Sequence, residues 1–291
     1  MDRSRKVDPL PARAVRRHRG PVAASATVLA VALVALVGAG CAPPVPVEQR
    51  VALFGDSLID QTAPQLRRGA DTDLPGFRLD LHYYPGSAQC DWTSAMQETA
   101  REGVGTVVLA FAGNMSTACT RGSDTYERYR ADARWAVEFW RSQGVRLVFV
   151  AVPGIVGAAA EDRPAPRAYK DVAAETGTPV IDLGPRFVDP ASGTYTERLA
   201  CLPSEGTPQG CTDGTIQVRT GWNGFFQDGM HLCLRACTVY SSGVVRYATG
   251  VLEGLRDLLL PTGTTTTSTS TTSTTSTTST TSTTSTTTTV A

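Results

Sequence analysis

The chain has 291 residues, of which 41% are hydrophobic, so it is long enough to bury one sizeable core. Basic and acidic residues number 27 each, but residues 1–40 hold seven of the basic ones and two of the acidic ones. The rest of the chain therefore has a formal net charge of about −5. A mildly acidic body argues against nucleic acid as a partner, because phosphate binding needs a basic face.

The N-terminus has the pattern of an export signal. Residues 1–20 form a basic region, and residues 21–41 are uncharged and apolar or small, which fits a signal peptide or a membrane anchor. Cys41 follows three small residues, a pattern that resembles the lipidation motif of bacterial lipoproteins. Three alternatives stay open: a lipidated Cys41, an uncleaved anchor, or ordinary cleavage. We therefore expect an exported chain, either anchored in the cell membrane and facing outside or secreted.

Three further segments follow in chain order. Residues 42–50 are rich in proline and predict an extended linker, and residues 51–260 form the globular domain. Residues 261–291 are almost wholly Thr and Ser. Because this tail has almost no apolar side chains to bury, it is predicted to be disordered.

The globular domain alternates short apolar runs with helical patterns. The predicted strands are 51–54, 79–84, 106–111, 147–152 and 179–183. The predicted helices begin near Ser57 and span 91–101, 123–143, 168–175 and 242–260, with Ser123 as a cap and Gly144 and Gly177 as stops. This order predicts an α/β fold whose parallel sheet has helices on both faces. Ligands of such sheets bind beyond the carboxyl ends of the strands.

Ser57 stands where the first predicted strand ends and a helix begins, in the run Gly-Asp-Ser-Leu. A backbone N–H at a helix N-terminus favours a developing oxyanion, so this serine is a candidate nucleophile. The alternative is that Ser57 only caps the helix, which serine does well.

Two more polar positions follow the second and third strands. Gly86 lies in a Tyr-Pro-Gly-Ser run, where a glycine lets the backbone approach a ligand. Asn114 follows Gly113, and its amide can donate a hydrogen bond to an oxyanion. Each has a structural alternative, an ordinary turn for the glycine and a cap for the asparagine.

A histidine late in the chain completes the set. Of the three histidines, His18 is in the basic region and His82 is in a predicted strand, whereas His231 lies in a predicted loop three residues after Asp228. An aspartate can hold one imidazole nitrogen while the other accepts the serine proton. The alternative is a surface histidine in a loop.

These four blocks resemble those of the SGNH hydrolase superfamily, the GDSL esterases and lipases, in an exported, actinobacterial-like bacterial form. The resemblance covers about residues 51–260, and block three departs from the usual Gly-x-Asn-Asp by reading Ala-Gly-Asn-Met at 112–115. It implies a flavodoxin-like three-layer α/β/α sandwich with a five-stranded parallel sheet in the order 2-1-3-4-5. It also implies a catalytic triad of Ser57, Asp228 and His231, with an oxyanion hole from the N–H groups of Ser57 and Gly86 and the amide of Asn114.

The predicted activity is that of a carboxylic ester hydrolase, with an acyl-Ser57 intermediate that water hydrolyses or a sugar hydroxyl accepts. Its partners would be acyl esters of glycans or lipids, and the membrane through the N-terminus. No cofactor and no metal are expected, since no cysteine pair has zinc spacing and histidines are few. The alternative is a catalytically silent cell-surface module that only binds glycan.

Six cysteines besides Cys41 suggest disulfides in an exported chain. Cys90 follows the second block and Cys119 the third, and both loops should lie at the same sheet edge, so we predict a Cys90–Cys119 bond. The other four should pair among themselves around the His231 loop, with partners unassigned: Cys201, Cys211, Cys233 and Cys237.

Overall fold

The structure is a computed structural model that describes residues 44–159, 163–219, 228–233 and 240–260. The predicted basic region, the 21–41 segment with Cys41 and the Thr/Ser tail lie outside the described residues. Within the ranges that are described, no helix is both long and apolar enough to cross a bilayer.

One sheet of five parallel strands runs through the centre, in the order β2-β1-β3-β4-β5. The strands are β1 Arg50–Gly55, β2 Arg78–Tyr83, β3 Thr106–Ala110, β4 Arg146–Ala151 and β5 Val180–Asp182. Each lies within one residue of its predicted bounds. The inner strands β1, β3 and β4 are nearly continuous apolar runs because both of their faces are covered, whereas the edge strand β2 alternates apolar and polar residues. The chain leaves β1 toward β2 on one side and reaches β3 on the other, so the switch point of the sheet is at the carboxyl end of β1.

Helices cover both faces of the sheet. They are α1 Ser57–Asp73, α2 Thr93–Glu102, α3 Thr125–Ser142, α4 Pro164–Thr176 and α5 Ser242–Leu259. Leu53 and Val108 pack in one buried cluster with α1 and α5, whereas Phe54 and Leu109 pack in another with α2, α3 and α4. Because successive strand residues point to opposite faces, this split confirms the three-layer α/β/α sandwich with the predicted strand order.

The last helix packs directly against the first. Leu66 and Ala70 of α1 share a buried cluster with Val251, Leu252 and Leu255 of α5. The helix that opens at Ser57 and the helix that follows the His231 segment are therefore neighbours in one layer.

Helix starts account for most differences from prediction. Asp124, and not Ser123, caps α3, where its carboxylate accepts a hydrogen bond from the N–H of Glu127 at 3.0 Å. The predicted cap was wrong because either residue type can perform this task and they are adjacent. Helix α4 begins at Pro164, four residues before its predicted start, since proline is well suited to a first helical turn.

A two-stranded antiparallel ribbon, β6 Arg198–Ala200 with β7 Thr215–Gln217, was not predicted. Each of these strands has a single large apolar residue, Leu199 or Ile216, with a polar or small residue on either side, so no apolar run marks it. The loop between them contains the buried Glu205, which pairs with Arg246 of α5 at 2.9 Å and so fastens this ribbon to the last helix.

Two disulfides are present in the described residues. The predicted Cys90–Cys119 bond is confirmed and joins the segments that follow β2 and β3. Cys201 pairs with Cys211 in the β6–β7 loop. Cys233 is also disulfide-bonded, and Cys237 lies outside the described residues.

Removing each of the two disulfides separately should lower the free energy of unfolding by different amounts. In the chain-entropy account, a bond closing a longer loop restricts the unfolded chain more. The sequence separations are 29 residues for Cys90–Cys119 and 10 for Cys201–Cys211. We expect the Cys90→Ala/Cys119→Ala variant to lose about 3.6 kcal/mol of unfolding free energy and the Cys201→Ala/Cys211→Ala variant about 2.7 kcal/mol. Urea unfolding of both variants measures this, and a reversed order would contradict it.

Candidate active site

The nucleophile candidate sits on a tight turn between strand and helix. Ser57 is the first residue of α1 and is separated from the end of β1 only by Asp56, the N-cap of the helix. Gly55 makes the turn feasible, because a Cβ there would lie 2.2 Å from Cγ1 of Ile59 and 2.9 Å from the carbonyl oxygen of Ala110. The turn thus holds Ser57 at the carboxyl end of β1, as the sequence predicted.

Asp56 joins the start of α1 to the segment that follows β3 by hydrogen bonds. Its Oδ1 accepts the N–H of Leu58 at 3.0 Å, and its Oδ2 accepts the N–H of Ala112 at 2.6 Å and the Nδ2 of Asn114 at 3.1 Å. The carboxyl group is 0% exposed. Burial raises its pKa, while the two backbone hydrogen bonds and the nearby Arg163 oppose that rise. Sequence reasoning assigned Asp56 no role, although it is part of the Gly-Asp-Ser run.

The predicted triad is brought together. His231 Nε2 lies 2.9 Å from Ser57 Oγ, although 174 residues separate them, and His231 Nδ1 is hydrogen-bonded to Asp228 Oδ2. The other carboxylate oxygen of Asp228 accepts the N–H groups of Met230 at 2.9 Å and of His231 at 3.0 Å. Burial raises the pKa of Asp228, but these N–H groups and the imidazole outweigh it and lower the pKa overall. Asp228 is therefore held as a carboxylate against the imidazole.

Two arginines that the sequence did not single out contact the triad segment. The guanidinium of Arg219, 1% exposed, donates to the carbonyls of Met230 and, at 3.0 Å, of Gly154. Burial lowers its pKa to about 9, and the neighbouring positive charge of Arg163 acts in the same direction. Arg163 itself donates to the carbonyls of Ala112 and, at 3.1 Å, of Pro153. Together they link the loops after β3 and β4 to the histidine segment.

Gly86 and Asn114, predicted to form the oxyanion hole with Ser57, lie in the segments that follow β2 and β3. Gly86 has φ +81°, a conformation that favours glycine, in the turn after β2. The Nδ2 of Asn114 donates to Asp56 and, at 2.9 Å, to the carbonyl oxygen of Ser87. Both amide hydrogens are therefore engaged with the protein in this structure, and the role of Asn114 as an oxyanion donor stays a prediction.

An open cleft of about 530 Å³ adjoins the Gly86 turn. Its lining combines aromatic, small and polar side chains: Tyr84, Pro85, Gly86, Ser87, Asp91, Trp92, Ser94, Ala95 and Thr117. Trp92 is fixed by a 2.9 Å hydrogen bond from its Nε1 to Ser87 Oγ, whereas Tyr84 is 68% exposed. The cleft therefore has one rigid and one accessible aromatic wall.

Within the described ranges, the one cluster with the composition of a metal site is Cys90, Asp91 and Cys119. Its two sulfur atoms are bonded to each other, so neither is a thiolate that could ligate a cation.

No protein-family model matches the sequence, and no curated protein matches it either. Several solved structures are similar in fold. A GDSL-like lipase from Bacteroides thetaiotaomicron matches at 15% identity over 79% of this chain and 97% of its own, with a TM-score of 0.44. An alpha/beta hydrolase enzyme from the metagenome of Lake Arreo matches at 16% identity over 71% of this chain and 94% of its own, with a TM-score of 0.48. A variant of an acetyl xylan esterase from Geobacillus stearothermophilus matches at 13% identity with the same coverage and a TM-score of 0.48. At such identities the activities of these proteins belong to them, and the chemistry of this chain rests on the geometry above.

Replacing Asp56 by Asn should weaken both the fold and the site. The amide puts an NH₂ group where a buried carboxylate oxygen now accepts a hydrogen bond, so at least one N–H loses its partner. We expect a loss of about 2–4 kcal/mol in unfolding free energy, measured by urea denaturation. Asp60→Asn, on the same helix but partly exposed, is the matched control. A loss no larger than in this control would contradict the assigned role of Asp56.

Proposed function

We propose that this chain is an extracytoplasmic serine esterase of the SGNH hydrolase type, which hydrolyses or transfers short acyl esters through an acyl-Ser57 intermediate. One observation carries the proposal: His231 Nε2 lies 2.9 Å from Ser57 Oγ while its Nδ1 is bonded to the carboxylate of Asp228. A serine hydroxyl is a weak nucleophile until a base at hydrogen-bond distance removes its proton.

The reaction begins when Ser57 Oγ attacks the ester carbonyl and its proton passes to Nε2 of His231. The tetrahedral intermediate collapses when the imidazolium returns that proton to the departing alcohol, which leaves the acyl group on Ser57. Water then attacks the acyl-enzyme while His231 takes its proton, and the bond from the acyl group to Ser57 Oγ breaks as the imidazolium returns that proton to Oγ, which releases the acid and restores the serine. If a sugar hydroxyl takes the place of water, the acyl group is transferred.

Asp228 orients the imidazole and stabilises its charged form. Its lowered pKa keeps it ionised while His231 cycles between its two protonation states. The oxyanion would be bound by the N–H groups of Ser57 and Gly86 and by the amide of Asn114. For Asn114 this requires one of its present acceptors, Asp56 or the Ser87 carbonyl, to give way to the substrate.

The cleft beside Gly86 favours short acyl groups on a polar carrier. The cleft is open, and beside Trp92 it carries the polar side chains of Asp91, Ser94 and Thr117, which can hydrogen-bond a polar carrier. The exposed ring of Tyr84 offers a flat face to a sugar. We therefore favour acylated glycans over lipids as substrates.

Two features support an extracytoplasmic location. Residues 21–41 have the composition of an export signal or anchor, and two disulfides, Cys90–Cys119 and Cys201–Cys211, need an oxidising compartment. Mass spectrometry of the mature N-terminus distinguishes a lipidated Cys41, an intact anchor and ordinary cleavage, and a full-length cytoplasmic protein would contradict export.

The triad should behave as one unit on mutation. We expect Ser57→Ala and His231→Ala each to lower kcat by about 10⁴-fold or more, and the double variant to be little worse. Asp228→Asn should cost less than either, and Asn114→Ala about 10²–10³-fold, the usual cost of one oxyanion donor. Rates on p-nitrophenyl acetate and labelling by a fluorophosphonate measure these effects.

Ser142→Ala, at the exposed end of α3, is the control for serine replacement and should match the wild type. If Ser57→Ala hydrolyses the ester as fast as the wild type, the assignment is wrong, and a silent glycan-binding module becomes the better explanation.

Removing the Tyr84 ring should raise KM for esters of sugars but not for simple esters. We expect Tyr84→Ala to raise KM up to about tenfold for an acetylated oligosaccharide, because the stacking face is lost. KM for p-nitrophenyl acetate, which has no sugar, should be unchanged and serves as the control. An equal change for both substrates, or none for the oligosaccharide, would remove Tyr84 from the substrate site.

A further inference from the structure

The segment that contains the triad histidine is held in place by hydrogen bonds from other parts of the chain. Residues 228–233 form neither helix nor strand, yet His231 must keep its imidazole 2.9 Å from Ser57 Oγ. A loop can hold a side chain at that distance only if its own backbone is fixed relative to the helix that bears the serine.

Gln61 makes that connection. It lies on α1 four residues after Ser57 and is 3% exposed. Its Oε1 accepts the N–H of Leu232 at 2.8 Å, and its Nε2 donates to the carbonyl oxygen of Cys233 at 3.1 Å. One amide thus pairs with a donor and an acceptor of the residues that directly follow His231.

Gln61 and the candidate nucleophile Ser57 belong to the same helix, α1. Residues four apart lie on the same helix face, so Ser57 and Gln61 move together as parts of one rigid element. Leu232 and Cys233 are buried, so water cannot replace the hydrogen bonds if the amide is removed. The distance between nucleophile and base is therefore set from the serine's own helix.

Other contacts hold the same segment at different points. Arg219 donates to the Met230 carbonyl, Ser241 Oγ donates to the Leu232 carbonyl at 2.5 Å, and the N–H of Val156 donates to the Gly229 carbonyl at 3.0 Å. These residues belong to segments outside α1. They stabilise the loop, but they do not join it to the helix of Ser57.

We propose that Gln61 is a positioning residue for catalysis, which keeps His231 in line with Ser57 by clamping the backbone of Leu232 and Cys233 to α1. This proposal rests on the proposed esterase function. It adds that the alignment of base and nucleophile depends on a side chain of α1 that bonds to the backbone directly after His231.

The test replaces the amide by a side chain of similar length. Gln61→Met fills the same space but offers no strong donor or acceptor. We expect kcat on p-nitrophenyl acetate, counted per fluorophosphonate-labelled site, to fall about 10²-fold, with KM within about twofold. The rate of fluorophosphonate labelling should fall in parallel, because it reports the activation of Ser57 without any substrate.

Two further variants make the result specific. Gln61→Glu keeps the acceptor for the Leu232 N–H, and because burial favours its neutral form it offers one O–H to the Cys233 carbonyl. Its kcat should therefore lie between those of the wild type and Gln61→Met, and it also serves if Gln61→Met does not fold. Gln65→Met is the matched control, since Gln65 lies one turn further along α1 and pairs with Arg68 instead.

The outcomes separate this proposal from the one on which it rests. If the wild-type protein resists labelling and hydrolyses no ester, the proposed function fails. If the wild type is active and Gln61→Met matches Gln65→Met in kcat per labelled site, Gln61 is only structural and this proposal is overturned. Lower thermal stability with unchanged kcat per labelled site overturns it as well.

Discussion

The buried carboxylate of Asp56 is the interaction on which the rest of the site depends. A charged group without access to water is tolerated only when hydrogen-bond donors surround it, and here the donors come from different parts of the chain. Leu58 supplies one from the first turn of α1, and Ala112 and Asn114 supply two from the segment after β3. Asn114 also donates a hydrogen bond to the Ser87 carbonyl, which joins the turn after β2 to the same group of contacts. Three loops that start from three strands are thereby fixed around one oxygen pair, with Ser57 beside it.

A disulfide and two arginines further stabilise the loops around Asp56. The Cys90–Cys119 bond joins covalently the two segments that the hydrogen bond from Asn114 to the Ser87 carbonyl also joins. Arg163 and Arg219 hold the loops after β3 and β4 against the histidine segment. Helices and strands supply the positions, but the precision of the site comes from polar groups that each bond to the backbone of a distant segment. This matches the general need of a catalytic site for support from residues that do not react.

Much of this could be predicted from the sequence, and the missing part has a common physical cause. The five strands were predictable because most are short apolar runs and β2 alternates apolar and polar residues, and His231 was predictable because few histidines compete with it. The role of Asp56 was missed because it depends on partners 56 and 58 residues away. Gln61, whose partners lie 171 and 172 residues away, gave no local signal at all. Local patterns report propensity and burial, whereas hydrogen bonds between distant segments become visible only when the fold brings them together.

The packing of α1 against α5 has a consequence for when the proposed site is assembled. Ser57 is among the first residues of the described domain to be synthesised, and His231 comes 174 residues later, just ahead of α5. Contacts of such long range form late, since the intervening chain must first be ordered. Before α5 docks on α1, the serine of the proposed esterase lacks its base. The chemistry proposed for this chain is therefore available only after the whole domain has been made and folded.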